Sequence, residues 1–97
     1  MVYKFKAIFF LVMLFSFGAF ADDDEYNACL LQYQKGAKTN LSAYFIEYAC
    51  RKLYQEGAFL LGKEKAYYEC LLKNIPDVEN SMAVNQIQNA CRRQYLE

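Results

Sequence analysis

The 97-residue sequence contains no histidine, no tryptophan and a single proline. Without an imidazole, no serine, threonine or cysteine has a histidine base to activate it, which excludes the commonest form of covalent catalysis. After residue 21 the only serine and threonine hydroxyls belong to Thr39, Ser42 and Ser81, and the serines fall in the first turns of predicted helices, where capping accounts for them. A catalytic carboxylate pair would need two acids such as Glu47 and Glu69 to converge. We therefore expect no catalytic residue and no enzymatic activity.

A surplus of basic residues is also missing. The whole chain carries 11 Lys+Arg and 11 Asp+Glu, and residues 22–97 alone carry nine against eleven, a net charge of minus two. Nucleic-acid and membrane-surface binding usually rest on a basic patch or a basic amphipathic helix. We expect neither kind of partner.

The longest apolar run is short for a membrane span. It covers residues 7–21, fifteen positions, whereas a helix that crosses a bilayer needs about 20. Lys4 and Lys6 precede the run, the small-residue pattern Ala-Phe-Ala closes it at Ala21, and an acidic cluster follows. This order is typical of a secretory signal peptide, with an uncleaved anchor as the alternative. We predict a signal peptide at 1–21, cleavage after Ala21 and no membrane span in the remaining chain.

Two stretches of the remaining chain repeat one pattern at a spacing of 41 residues. The repeated positions are Tyr26-x-x-Cys29-Leu30-Leu31 with Tyr67-x-x-Cys70-Leu71-Leu72, and Ile46-x-x-Ala49-Cys50-Arg51-x-x-Tyr54-x-Glu56 with Ile87-x-x-Ala90-Cys91-Arg92-x-x-Tyr95-x-Glu97. All four cysteines fall on repeated positions. We interpret the pattern as an internal duplication, with repeats at 22–56 and 63–97 that form a single small domain over 22–97.

Four cysteines in a small exported domain predict two disulfides, because a chain of this length buries too small a core to dispense with a covalent or metal link. Zinc is the competing use, but the sequence has neither a C-x-x-C pair nor a histidine, so we expect no metal site and no cofactor. Three pairings are possible. The repeat favours Cys29–Cys50 and Cys70–Cys91, whereas loop-closure entropy does not decide between these links and a long one from Cys29 to Cys91.

Each repeat is predicted to form two helices joined by a turn. The fold is therefore expected to be all-α: four short helices arranged as two tandem, disulfide-clipped helical hairpins. In the first repeat the apolar spacing i, i+3, i+4, i+7 from Tyr26 to Tyr33 predicts one helix, and a turn at 34–40 leads to a second helix over 41–56 with Asn40 as its N-cap.

The second repeat follows the same order. Pro76 ends its first helix after Asn74, and Asn80 or Ser81 caps a helix that runs to the end of the chain. The junction between the repeats, 57–62, is apolar between two glycines, and we expect it to pack between the two units.

The helix predicted over 41–56 has two distinct faces. At about 100° per residue, the side toward the disulfide and core carries Ser42, Ala43, Ile46, Ala49, Cys50 and Leu53. Tyr44 and Tyr48 lie on the opposite side.

These tyrosines mark a difference between the repeats. Three tyrosines of the first repeat, Tyr33, Tyr44 and Tyr48, stand where the second repeat has Asn74, Asn85 and Asn89. One interpretation is that the helix is central and buries its second face against the junction or the other hairpin. The other is an exposed patch that binds a protein or a glycan, because tyrosine supplies contact area and a hydroxyl at low entropic cost.

The run Cys70-Leu71-Leu72-Lys73-Asn74-Ile75-Pro76-Asp77-Val78-Glu79-Asn80 and the later Ala90-Cys91-Arg92 resemble a group of small exported bacterial proteins of unknown function that share four cysteines. The resemblance covers nearly the whole chain after residue 21. It implies an address, the periplasm or the exterior of a Gram-negative bacterium, and no activity. Tandem helical repeats of the Sel1 type, suggested by Gly62 and Lys65-Ala66-Tyr67-Tyr68, have a shorter period and are set aside.

We therefore expect a small secreted or periplasmic binding module whose partner is unknown. A secreted effector or hydrolase inhibitor is one alternative, and a purely structural envelope protein is the other.

Overall fold

A computed structural model describes residues 23–97, and this part of the chain is all-α, as predicted. The helix α1 covers 23–33 of the described residues, and the signal peptide predicted at 1–21 lies outside them. The other elements are α2 (Asn40–Tyr54), α3 (Gly62–Asn74) and α4 (Ser81–Tyr95), with short 3-10 segments at Gln34–Gly36 and Gly57–Phe59. Residues 23–97 contain no strand.

The N-cap of α2 is Thr39, one residue before the predicted Asn40. Thr39 has an extended backbone, and its Oγ1 accepts a hydrogen bond from the backbone N–H of Ser42 at 2.9 Å. Both residue types are good caps, so composition did not distinguish two adjacent candidates. The helix ends at Tyr54, two residues before the predicted Glu56.

Side-chain caps and a proline account for the bounds of α3 and α4. The N–H of Leu61, at the start of α3, donates to the carboxylate of Glu64 at 2.9 Å. The helix ends at Asn74, since Pro76 cannot continue it. Asn80 caps α4, and its Oδ1 accepts the N–H of Ala83 at 2.8 Å.

Both predicted disulfides are present, one between α1 and α2 and one between α3 and α4. Cys29 and Cys50 have Cα atoms 5.7 Å apart, and Cys70 and Cys91 have Cα atoms 5.9 Å apart; each pair is separated by 21 residues in the chain. The core that surrounds them consists of Ile46, Ala49, Tyr67, Tyr68, Leu71, Leu72, Ile75 and Val84. Helix α2 buries Ser42, Ile46, Ala49 and Cys50, which confirms the face predicted from periodicity.

The repeated residues make repeated contacts. The Tyr26 hydroxyl donates to a Glu47 carboxylate oxygen at 3.0 Å, and 41 residues later the amide of Gln88 donates to the Tyr67 hydroxyl at 2.8 Å. In the same way Arg51 pairs with Glu56 and Arg92 pairs with Glu97. The correspondence between the two sequence repeats therefore extends from the cysteines to individual hydrogen bonds and ion pairs.

The two interhelical turns contact each other at corresponding positions. The backbone N–H of Asp77 donates to the carbonyl of Gly36 at 2.7 Å, and these residues stand 41 apart. Asp77 has a left-handed backbone, with φ of 72°. A Cβ on Gly36 would lie 2.8 Å from the Cβ of Pro76, so the close approach of the turns requires glycine at this position.

The prediction that the whole junction packs between the units is wrong. The side chain of Phe59 is 88% exposed and that of Leu61 is 61% exposed, and only Leu60 packs against the core. The 3-10 segment leaves Ala58 and Phe59 both exposed, an arrangement that an apolar composition does not reveal.

Candidate functional site

Four side chains at i, i+4, i+7 and i+8 form a stripe along α2, which we call the tyrosine stripe: Tyr44, Tyr48, Arg51 and Lys52. Tyr44 is 57% exposed. Its ring is stacked on that of Tyr48, with centroids 6.1 Å apart and planes within 4°. The stripe thus presents an ordered aromatic surface that the structure leaves open on the Tyr44 side.

Tyr48 packs against α3 of the other helix pair. Its ring meets the ring of Tyr68 on α3 edge-to-face, at 5.6 Å between centroids. Tyr68 is itself only 8% exposed and contacts Tyr67 in the same manner at 5.0 Å. Burial, and then the neighbouring Tyr48, raise the pKa of the Tyr68 hydroxyl well above its usual value. Tyr48 is therefore an anchor for the stripe, while Tyr44 is its exposed member.

Two cations flank Tyr48, but acids neutralise them. The Arg51 guanidinium lies 5.2 Å from the Tyr48 ring centroid, and the Lys52 ammonium lies 5.7 Å from it. Arg51 also pairs with Glu47 at 3.3 Å, and Lys52 pairs with Glu56 at 2.9 Å. The Lys52 hydrogen bond lowers the pKa of the Glu56 carboxyl, and the same bond raises the pKa of the lysine. The stripe therefore offers aromatic rings and hydroxyls without a net charge of either sign.

Tyr33 does not join the other two candidate tyrosines. It is half-buried, packs against the core and lines a groove of about 480 Å³ together with Leu53, Tyr54, Glu69 and Pro76. Leu53 lies on the core side of α2, opposite the tyrosine stripe. The structure thus brings Tyr44 and Tyr48 together and places Tyr33 at a different site.

The groove beside Tyr33 adjoins a second one of about 450 Å³, and both are lined by Leu53, Tyr54 and Glu69. Burial, followed by the charges of neighbouring groups, raises the pKa of Tyr54. Glu47 lines neither groove, and its carboxylate accepts hydrogen bonds from Tyr26 and Arg51. The two acids that a carboxylate pair would need thus lie at separate places.

Among the described residues, no group of three or more acidic or cysteine side chains is arranged to hold a metal ion. Within the same residues, no helix has the length and apolar character that crossing a membrane requires.

Sequence reasoning missed the contribution of Tyr68 and of the two cations to this surface. A signal for Tyr68 existed, because its counterpart in the first repeat is Asn27, a tyrosine-for-asparagine exchange in the opposite direction. The aromatic contact between Tyr48 and Tyr68 can therefore form only once in the molecule, since the corresponding positions 89 and 27 are both asparagine. Tyr48 packs on the other helix pair, as the first interpretation expects, whereas Tyr44 is exposed. Binding of a partner to these tyrosines stays a prediction.

A protein-family model described as "Four-cysteine protein VF_A0006-like" matches residues 7–95. No curated protein gives a significant match to the chain. No solved structure does so either. The matching description names the four cysteines and no activity, so any function has to be inferred from the surface itself.

Proposed function

We propose, from the premise that the chain belongs to the four-cysteine protein VF_A0006-like family, that it is an exported binding module that contacts a protein partner through the tyrosine stripe. The single observation that carries the proposal is the exposure of Tyr44, which is 57% accessible although it stacks on the ring of Tyr48. Catalysis has no part in it.

An aromatic ring that is both exposed and ordered is a favourable contact surface. Tyr44 lies against the rings of Tyr48 and Phe45, which favours the conformation that it presents to a partner. Binding therefore costs less ordering than for a freely rotating side chain. Tyrosine and arginine are also the residue types most enriched at the energetic centres of protein interfaces, and Arg51 lies one turn beyond Tyr48.

A protein fits the stripe better than a glycan does. Sugars stack on the open face of an aromatic ring, whereas the parallel rings of Tyr44 and Tyr48, with centroids 6.1 Å apart, each narrow access to one face of the other. Arg51 and Lys52 are paired with Glu56, and the donors around the stripe are these cations and the tyrosine hydroxyls. A polypeptide supplies carbonyl and carboxylate acceptors for such donors. Binding of a glycan remains a distinguishable outcome of the test below.

The test compares oxidised protein with the variants Tyr44→Ala and Tyr48→Ala as immobilised bait for an envelope extract. Tyr44→Ala should leave the free energy of unfolding within about 0.5 kcal/mol, because the side chain is largely exposed. It should reduce capture of the specific partner by about tenfold or more. Tyr48→Ala should reduce capture as well, and it should also destabilise the fold through its lost contact with Tyr68.

The second repeat supplies matched controls. Asn85 and Asn89 stand where the first repeat has Tyr44 and Tyr48, so Asn85→Ala and Asn89→Ala should leave capture unchanged. Tyr44→Asn converts the first repeat to the second at one position and should behave like Tyr44→Ala. Equal capture by wild-type protein and a folded Tyr44→Ala variant would contradict the proposal. Capture that survives protease treatment of the extract but is abolished by glycosidase would redirect it to a glycan.

Export is the other part of the proposal. Two formed disulfides and the absence of free cysteine among the described residues are compatible with an oxidising compartment. Non-reducing mass spectrometry of protein from its natural compartment should give the mass of chain 22–97 with both bridges formed. An effector or inhibitor role predicts in addition that purified protein blocks a hydrolase, and a structural role predicts neither inhibition nor a partner dependent on Tyr44.

A further inference from the structure

The two disulfides have the same spacing in sequence but different surroundings in the fold. Cys29 is 4% exposed and Cys50 is fully buried, so both sulfurs of the first bridge lie in the core. In the second bridge Cys91 is 2% exposed, whereas Cys70 is only partly buried. Of the four half-cystines, Cys70 is thus the one residue that is not fully buried.

An open groove of about 250 Å³ runs over the second bridge, lined by Cys70, Asn74, Ile87, Ala90, Cys91 and Gln94. Ala90 is exposed at the edge of this groove, while its counterpart Ala49 in the first repeat is fully buried. The second bridge is therefore less covered than the first at the corresponding position.

Asn74 adds a polar contact at the partly buried Cys70. Its Nδ2 donates to the backbone carbonyl of Cys70 at 2.8 Å and lies 3.6 Å from the Cys70 Sγ. At the corresponding position of the first repeat stands Tyr33, which packs against the core. An amide N–H near sulfur stabilises a thiolate there, and Cys70 carries that charge when a mixed disulfide at this residue is resolved. The exchange of tyrosine for asparagine thus coincides with the change from a covered bridge to an open one.

We propose that Cys70–Cys91 is the thiol-exchange site of this protein, and that an external dithiol attacks it at Cys70 while Cys29–Cys50 stays closed. The attacking thiolate forms a bond to the Cys70 Sγ, the bond between Cys70 and Cys91 breaks, and Cys91 leaves as a thiolate. The second thiol of the dithiol then displaces Cys70. The dithiol is oxidised by two electrons to its own disulfide, the cystine is reduced by two, and the two protons of the dithiol end on Cys70 and Cys91.

The product keeps the first helix pair bridged and releases the covalent link between α3 and α4 only. Direct attack on the first bridge requires the core around Ile46 and Ala49 to open, since both of its sulfurs are buried there. Local opening of buried structure carries a free-energy cost that attack at an exposed site avoids.

The experiment exposes the folded, fully oxidised protein to dithiothreitol, quenches samples with an alkylating agent over time, and maps the alkylated cysteines by proteolysis and mass spectrometry. Cys70 and Cys91 should be alkylated together, at least about tenfold faster than Cys29 and Cys50. The same reaction in concentrated denaturant should show nearly equal rates, because each bridge has a sequence separation of 21.

Asn74→Tyr restores the residue of the first repeat beside the sulfur and should slow reduction of Cys70–Cys91, while Asn85→Ala on the outer face of α4 should leave the rate unchanged. A variant that fails to fold is identified by reduction of both bridges at the fast rates seen in denaturant, and the wild-type comparison then decides the proposal. First or equally fast reduction of Cys29–Cys50 in the native protein would overturn the proposal, as would a preference of the same size in denaturant.

Discussion

Thr39 and Asn80 stand 41 residues apart and cap α2 and α4 through the same type of bond, but only Thr39 has a second contact. Its Oγ1 lies 2.9 Å from the hydroxyl oxygen of Ser42, a residue with no solvent exposure. The position that corresponds to Ser42 in the second repeat is Ala83, which has no hydroxyl to satisfy. The Thr39 side chain thus caps the first turn of α2 and also supplies a hydrogen-bond partner for a hydroxyl that is buried in the core.

Thr39→Ala should therefore destabilise the protein more than Asn80→Ala does. Each change removes a cap, at a cost of about 1 kcal/mol. Thr39→Ala also leaves the buried Ser42 hydroxyl without its partner, which adds about 1–3 kcal/mol. Urea unfolding of the oxidised variants measures the difference. In the Thr39→Ala background, Ser42→Ala should recover part of the loss, and a double variant no more stable than Thr39→Ala would contradict this assignment.

At the scale of elements, the two turns lock the helix pairs together at corresponding positions. Gly36 and Asp77 share a backbone hydrogen bond, and Pro76 lies against the glycine. Pro76 thus serves two purposes, since it ends α3 and fills the space that the missing side chain of Gly36 leaves. The contact joins residues that are far apart in sequence, so neither turn holds its position alone.

Gly36→Ala should destabilise the fold by about 1–3 kcal/mol, because the new methyl group would lie 2.8 Å from the Pro76 Cβ and would push the turns apart. Gly62→Ala is the matched control. No atom lies within 4 Å of a Cβ built there, at the first residue of α3, so alanine should be neutral or stabilising by up to about 1 kcal/mol. Thermal and urea unfolding give both values. Similar stability of the two variants would show that the turns separate without cost.

The elements themselves could be predicted because their signals are local. Periodicity identified the buried face of α2, and Pro76 marked the end of α3. The repeat predicted the disulfide pairing, since each bridge closes within its own repeat. The exposure of Phe59 and the packing of Tyr48 on Tyr68 could not be predicted, because both depend on how one helix pair meets the other. Partners across that boundary are set by tertiary contacts, which leave no periodic trace in a single sequence.

At the scale of the whole molecule, the two bridges provide equal chain constraint and unequal packing. Both close loops with a separation of 21 residues, so each should lower the entropy of the unfolded chain by the same amount, about 3 kcal/mol in free energy. In the native state both bridges belong to the core that Ile46 and Leu71 share. Both residues of the first bridge are buried there, whereas Cys70 of the second is only partly buried and lines an open groove. Any difference in their contribution to stability must therefore come from the folded state.

Replacing Cys29 and Cys50 together with alanine should cost more free energy of unfolding than replacing Cys70 and Cys91. The entropic terms cancel in the comparison, so the difference comes from the buried sulfur that is lost and the cavity that it leaves. The variant without Cys70 and Cys91 should be the more stable of the two by about 1 kcal/mol or more. Urea unfolding of both at neutral pH decides the sign, and the m-value checks that both unfolded states expose similar surface. If the second pair proves equally or more costly to remove, the first bridge contributes no more packing than the second, and the tight core around it must be stable without sulfur.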